Sequence, residues 1–338
     1  MTKDISDMTL VNNREDIFSE EKKSFLINKM KQIFDGLSRT ERPPFPRQVQ
    51  FETTNICNHN CSFCAYNIMQ RSKAVMDVSL FKRLCKEAYD LGAREIGLFS
   101  GAEPLTCKNL HHFVSYAHSI GYEYSYISTN GIVGGAERLI QLIDSGLRSI
   151  KFSVNGGTRE AYLRVHKKDD FEKVIENIKA VSDYRAKVGQ TIYLSVSFVE
   201  CEDSLGTFQF LRELVDGYVD EVIYYKADNQ SGQVEGFSRP IFTDCPLPFN
   251  KAHFTVEGYL RACCNDYENL LAVEDLANQS MIDAWHSERF RSLRKRHIDD
   301  ALNGTLCGRC IRGYEGTPEP LNPELANKKI IPLRLDKK

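Results

Sequence analysis

No stretch of the 338-residue sequence reaches the ~18 consecutive apolar residues that a membrane-spanning helix needs. Met1–Thr9 is polar and lacks the apolar segment of a signal peptide. No charge of one sign dominates. Lys and Arg number 44 against 46 Asp and Glu, a net charge of -2. That balance argues against a generally basic nucleic-acid or membrane-surface protein, so neither partner is expected. Tryptophan is almost missing, with Trp285 alone. These absences predict a cytoplasmic globular protein, built as one large domain or two smaller ones at about 150 residues each.

Cysteine, by contrast, is plentiful. There are eleven, and a chain of this length needs no disulfides to hold its core. A reducing compartment keeps thiols free, so clustered cysteines point to metal or catalysis.

The first 45 residues are polar, with helical spacing near Glu20–Leu37 that Pro43, Pro44 and Pro46 must end. A regular alternation follows. Strands are expected at Val49–Thr53, Glu95–Ser100, Tyr124–Thr129, Ser149–Val154, Ile192–Val199 and Glu221–Tyr225. Helices are expected between them, the first capped by Asp77 and stopped by Gly92. Six β/α units imply a parallel sheet with right-handed crossovers. A closed eight-fold barrel needs about 250 residues, so an open six-stranded, TIM-like (β/α)6 barrel is predicted. The divisions are 1–45 (helical extension), 46–235 (partial barrel), 236–320 (small second domain) and 321–338 (tail). The small domain is expected to be held more by metal than by core.

Directly after the first strand stand Cys57, Cys61 and Cys64, spaced C-x3-C-x2-C. Three thiolates can hold three corners of a cubane cluster and leave one iron open. A structural zinc loop is the alternative, with His59 as a strained fourth ligand. The loop leaves the strand at its carboxyl end, where parallel α/β barrels place ligand sites.

This loop, with Phe63 before its last cysteine, resembles that of the radical S-adenosylmethionine (radical SAM) superfamily. The resemblance implies a 4Fe-4S cluster that binds SAM, one-electron cleavage to a 5′-deoxyadenosyl radical, and hydrogen abstraction from a substrate. Ser100-Gly101-Ala102-Glu103-Pro104 resembles the family's GGEP element for the SAM amino group. Ser128, Asn130, Ser153 and Asn155 resemble its ribose-side contacts. Arg164, and more weakly Ser197, resemble groups that grip the SAM carboxylate. In the alternative reading, GAEP is an ordinary turn and the serines cap strand ends.

A second set follows. Cys245, Cys263, Cys307 and Cys310 fit zinc or an iron–sulfur cluster equally by spacing. Phe254–Leu260 reads as a hairpin turning at Glu257-Gly258 that brings Cys245 and Cys263 together. The C-x12-G-x4-C run with a distant C-x2-C is similar to a SPASM extension in its short Twitch form, which implies one auxiliary 4Fe-4S cluster. Cys263 is preferred to its neighbour Cys264 as ligand. Trp285 belongs to an expected helix over Ile282–Lys295. The auxiliary cluster serves as an electron sink or as a staple for the domain.

Cys85 and Cys107 read as core, and His166 as a surface residue. Cys201, Glu200, Lys226 and Asp228 face the expected mouth as candidate hydrogen donor, base or substrate contacts. Three functions are weighed. The first is a dehydrogenase of an amino sugar, sugar or similar small molecule, served by a flavodoxin- or ferredoxin-type electron donor. Its layout resembles the aminocyclitol dehydrogenase subgroup of butirosin biosynthesis. The second is a peptide- or protein-modifying maturase, for which a 45-residue extension is expected to be too small a leader-binding unit. The third is a non-catalytic iron–sulfur or zinc binding protein.

Overall fold

The computed structural model describes residues 38–189, 191–238 and 244–326. The expected helix near Glu20–Leu37 and the basic run after residue 327 lie outside the described residues.

The six expected strands form, the first five each followed by at least one helix. Strand β1 (Gln48–Phe51) leads to helix α1 (Val78–Asp90), β2 (Glu95–Gly97) to α2 (Leu110–Ser119), and β3 (Tyr124–Thr129) to α3 (Gly135–Asp144). Then β4 (Ser149–Ser153) precedes α4 (Arg159–His166) and α5 (Phe171–Val188). Strand β5 (Tyr193–Glu200) leads to α6 (Phe208–Val215), and β6 (Glu221–Lys226) closes the series. All five pairings from β1 to β6 are parallel. The sheet does not close on itself, as expected of a partial barrel.

Local chemistry explains the elements. Asp77 accepts from the Leu80 amide and starts α1, which buries Phe81, Leu84, Cys85 and Ala88 at helical spacing. Phe81 stacks on Phe113 of α2 with ring centroids 4.2 Å apart and meets Phe51 of β1 edge-on at 5.1 Å. Each such ring contributes about 1.5–3 kcal/mol by burial. Helix α4 was not expected. Its signal is Thr158, whose hydroxyl accepts from the Ala161 amide.

Beyond residue 244 come α7 (Leu247–Asn250), β7 (Lys251–Phe254), β8 (Tyr259–Arg261) and β9 (Ala272–Asp275). Helices α8 (Met281–Trp285), α9 (Glu288–Ile298) and α10 (Leu306–Arg312) complete the described chain. Strand β7 pairs in parallel with β1 through four residues, and β8 and β9 extend the sheet antiparallel. The result is one nine-stranded sheet ordered β6-β5-β4-β3-β2-β1-β7-β8-β9.

This corrects the expectation that metal, more than core, holds the C-terminal part. Trp285, Phe290 and Leu293 are fully buried and join the same apolar core as the barrel helices. The helix expected over Ile282–Lys295 is two helices, because Ser287 interrupts it and caps α9 through the Phe290 amide. Part of the expected tail is also packed. The Leu321 amide donates to Leu270 O, and Asn322 is buried with its side chain on Val273 O. No helix among the described residues is long and apolar enough to cross a membrane.

Candidate functional site

The concave face of the sheet is polar. Strand alternation sends Ile127 and Thr129 to the helices and leaves Tyr124, Tyr126 and Ser128 half-buried on the other side. Two contacts span intervening strands on that side. Lys251 of β7 donates to the Tyr126 hydroxyl at 3.1 Å, across β1 and β2. Gly97 permits this, since a Cβ there would lie 3.0 Å from the Tyr126 ring. The Lys151 ammonium lies 5.7 Å from the Tyr225 ring centroid, across β5.

At the carboxyl end of this face lies the loop of Cys57, Cys61 and Cys64. Burial is the first cause that raises all three thiols, and Cys57 reaches about 11. Cys57 and Cys61 are raised further by the charges of fellow thiols of the trio. Buried sulfurs that repel one another in their charged form are what a bound cationic centre relieves. The loop is held from several sides. Ser62 and Asn60 amides donate to Val165 O and His166 O at the end of α4. The Ala65 amide donates to Gln230 Oε1, and Asn130 Nδ2 to Asn58 Oδ1.

His166 is not on the surface. It is 1% exposed, with Nε2 2.6 Å from Val154 O and Nδ1 3.5 Å from Cys61 Sγ. The buried ring face of α4, stacked on Tyr162, carries it inward. His59 stands beside one thiol of the trio, with a ring nitrogen within 4.8 Å of Cys61 Sγ, and is shared with two other partners. Its Nδ1 lies 3.1 Å from His166 Nδ1, and its Nε2 3.7 Å from Asp170 Oδ2. Burial lowers His59 to about 4, and burial followed by the His59 charge lowers His166 to about 3.

Glu103 is fully committed to protein donors. Its carboxylate accepts from Thr129 Oγ1 at 2.6 Å, the Asn130 amide at 2.7 Å and the Leu105 amide at 3.0 Å. Burial raises it to about 7 against those three bonds. It therefore joins the β2 and β3 ends, and Pro104 behind it opens a short 3-10 turn. Gly101 and Ala102 are half-buried beside it, as is Phe63 in the cysteine loop.

Ser128 and Ser153 meet at 3.3 Å between oxygens. Asn155 is buried with φ 54, and its Oδ1 accepts from the Val199 amide. Ser197 is buried, its hydroxyl donating to Phe152 O at 3.5 Å. Arg164 lies on the exposed side of α4 and donates to Asp203 O at 2.9 Å. At the mouth, Tyr224 donates to Glu200, Lys226 is exposed, and buried Cys201 caps a short turn with Ser204. Asp228, raised by burial, accepts from the Gln230 amide.

The second cysteine set converges although its members are far apart in sequence. Burial raises Cys245 to about 12, with the charges of Cys310 and Cys264 adding to it. Cys307, on α10 with Cys310, is raised by burial and then by Cys245 and Cys310. Cys263 neighbours Cys245 and Cys307, whereas Cys264 is held low by its hydrogen bond with Cys263 and by His253 and Lys251. None of the eleven cysteines is in a disulfide.

Among the described residues, the group of three ligand atoms within 4.8 Å of one another is His59, Cys61 and His166. Among the described residues, no three sulfurs of either cysteine set lie that close together. Sulfurs at ~2.3 Å from one zinc would lie roughly 4 Å apart, so the spacing suits a polynuclear iron–sulfur cluster better than a single ion.

Sequence reasoning missed Tyr267, whose hydroxyl is 3.7 Å from Cys64 Sγ. Only its position three residues beyond Cys264 could have marked it.

An open parallel β/α barrel with a three-cysteine loop at its carboxyl end, and a second cysteine set on an added sheet edge, defines a class of iron–sulfur barrel enzyme. Residues 51–200 match the family model of the radical SAM superfamily, and residues 245–311 that of the SPASM iron-sulfur cluster-binding domain. The chain carries a radical SAM domain followed by a SPASM domain. These domains imply SAM and 4Fe-4S clusters as cofactors.

It is similar to the S-adenosyl-L-methionine-dependent 2-deoxy-scyllo-inosamine dehydrogenase of Niallia circulans. The match is 24% identical over 270 residues and covers 78% of this chain and 91% of the relative. The crystal structure of BtrN in complex with AdoMet and 2-DOIA superposes with a TM-score of 0.54 at 22% identity, over 78% of this chain and 91% of that one. Streptococcus suis SuiB bound to precursor peptide SuiA superposes with a TM-score of 0.63 at 12% identity, over 83% and 75%.

Proposed function

We propose that this protein oxidises a polyhydroxylated small molecule, an aminocyclitol or related sugar, by removing a hydrogen atom from carbon. When bound, the reduced cluster and SAM supply a carbon radical that takes that hydrogen. Cys57, Cys61 and Cys64 would hold the cluster, and the mutual repulsion of their buried thiols supports this. Cys245, Cys263, Cys307 and Cys310 would hold the auxiliary cluster, which would supply an acceptor for the one electron left when the substrate radical loses its proton to become a ketone. Ser128 and Ser153 face the concave side as a pair suited to ribose hydroxyls.

Glu103 has a positioning role. Its carboxylate is spent on Thr129, Asn130 and Leu105, so it orders the loop ends around SAM, leaving backbone groups of Gly101 and Ala102 to meet the SAM amino group. Of the four mouth residues, Asp228 is favoured as the proton acceptor. Its loop touches the cysteine loop through Gln230 and Ala65. Cys201 and Glu200 are already engaged by Ser204 and Tyr224.

The observation that carries the substrate class is the polar concave face. Tyr126, Lys151, Ser128 and Ser153 are half-buried there, with Ser128 and Ser153 toward the carboxyl end where the three-thiol loop lies. A face of hydroxyls and ammonium groups suits a ligand rich in hydroxyl and amino groups. A peptide substrate, the weaker reading, would favour apolar anchoring pockets, and 91% coverage of the inosamine dehydrogenase supports the small molecule. The setting proposed is cytoplasmic, with a flavodoxin- or ferredoxin-type protein as reductant.

The test is anaerobic reconstitution followed by dithionite and a panel of carbon-deuterated aminocyclitols, beginning with 2-deoxy-scyllo-inosamine. Deuterium in 5′-deoxyadenosine and one ketone formed per SAM consumed would support the reading. Formation of 5′-deoxyadenosine that never carries substrate deuterium from any member would overturn the substrate class.

A further inference from the structure

We propose that Tyr267 is the positioning residue that ties the two cysteine-bearing loops together. Its hydroxyl donates to the Cys64 sulfur, and its ring fills the space that Gly101 leaves open. This rests on the reading that Cys57, Cys61 and Cys64 hold a cluster.

Three independent contacts place it. The Tyr267 hydroxyl is 3.7 Å from Cys64 Sγ. A Cβ built on Gly101 would lie 2.5 Å from Tyr267 Cε1, so any other residue at 101 displaces the ring. The backbone on either side is pinned as well. The Asp266 carboxylate accepts from the Leu270 and Leu271 amides at 2.9 and 2.7 Å. Arg261 donates through Nη1 to Asp266 O at 2.6 Å and through Nη2 to Ser100 Oγ at 3.0 Å, beside Gly101. With Tyr267 only 7% exposed, water does not compete for its hydroxyl.

The physical consequence lies in the sulfur. Hydrogen bonds to cluster sulfurs are among the features that set an iron–sulfur potential. A donor favours the more electron-rich, reduced state, because that state places more negative charge on the thiolate. Tyr267 thus eases reduction of the cluster held by Cys64. Because Tyr267 belongs to the segment of Cys263 and Cys264, a displacement of the auxiliary loop alters that hydrogen bond. The SPASM segment in this way acts on the radical SAM site through one side chain.

The test compares anaerobically reconstituted full-length wild type, Tyr267→Phe and Gly101→Ala. Iron content, thermal unfolding and an electron paramagnetic resonance redox titration are measured. The signal perturbed by added SAM identifies the cluster in question. Tyr267→Phe keeps the ring and is expected to retain iron and unfolding temperature while its midpoint potential moves more negative. Gly101→Ala, which pushes the ring aside without changing Tyr267, is expected to move the potential the same way. An unchanged potential in fully loaded Tyr267→Phe, or iron loss from that variant as its only effect, overturns the proposal. A wild type with no SAM-responsive cluster overturns the cluster reading itself, and is seen before either variant is compared.

Discussion

Arg71 forks onto both carboxylate oxygens of Glu52, each at 2.7 Å, and both side chains are buried. Glu52 follows β1. Arg71 also donates to Asn269 Oδ1 at 2.6 Å, and Glu52 accepts from the Val256 amide at 3.1 Å. This pair therefore stitches the barrel to the C-terminal hairpin at the base of the cysteine loop.

Removing one partner leaves a buried charge with only a longer pairing, Arg71 with Glu257 at 3.4 Å or Glu52 with Arg261 at 3.8 Å, and breaking a buried pair typically costs about 3–5 kcal/mol. Arg71→Met and Glu52→Gln should each lower unfolding stability by that order in urea titrations. The double variant should be less destabilised than the sum of the two. Strict additivity would show that the pair does not act as a unit.

Trp285 is fully buried, donates from its indole nitrogen to Pro43 O and Pro44 O, and lies under the Arg294 guanidinium at 4.1 Å. Trp285→Ala should cost about 3–5 kcal/mol, as large-to-small core changes do. Differential scanning calorimetry on the full chain reads this as a lowered midpoint. A loss well under 1 kcal/mol would mean the C-terminal part stands apart from the shared core.

Glu103 gives a pH signature. Its folded value near 7 lies above the ordinary 4.5, so the folded state holds its proton more tightly than the unfolded one. The resulting stability is full below about pH 4.5 and is lost as pH rises toward 7. The buried histidines, with lowered values, act in the opposite sense. The difference between wild type and Glu103→Gln isolates the carboxyl. That difference should shift against wild type from pH 4.5 to 7 by on the order of a few kcal/mol. Urea unfolding of apo protein across that range measures it, and a pH-independent difference would contradict it.

Cys263 and Cys264 separate by their neighbours. Cys263 lies with Cys245 and Cys307, whereas Cys264, although near Cys245 as well, is drawn to His253 and Lys251. Cys263→Ser should lose the auxiliary cluster's iron, close to four per chain, and Cys264→Ser should keep it. Iron and sulfide analysis after reconstitution decides, and the reverse pattern would exchange the assignment.

The sequence made the barrel legible because its signals are local. Strand alternation, the Asp77 cap and cysteine spacing each span a few residues. The β1–β7 pairing was hidden, since it joins residues some 200 positions apart. His166 was misread for a related reason. One helical face decides its burial, and α4 had not been recognised. Tyr267 carries no motif, because its role depends on the missing side chain of Gly101. Asn155 and Glu103 were legible as positions, but not in their engagement with backbone amides, which depends on strand ends meeting in space.

The parallel register of β7 on β1, Gln48 to Lys251 through Phe51 to Phe254, has a further consequence. The loops of Cys57 and Cys263 both leave strands of one continuous sheet, so the span between these two loops is set by backbone hydrogen bonding. A movable linker would let that span breathe with each turnover. Here traffic of substrate and product must instead pass around a frame that stays still.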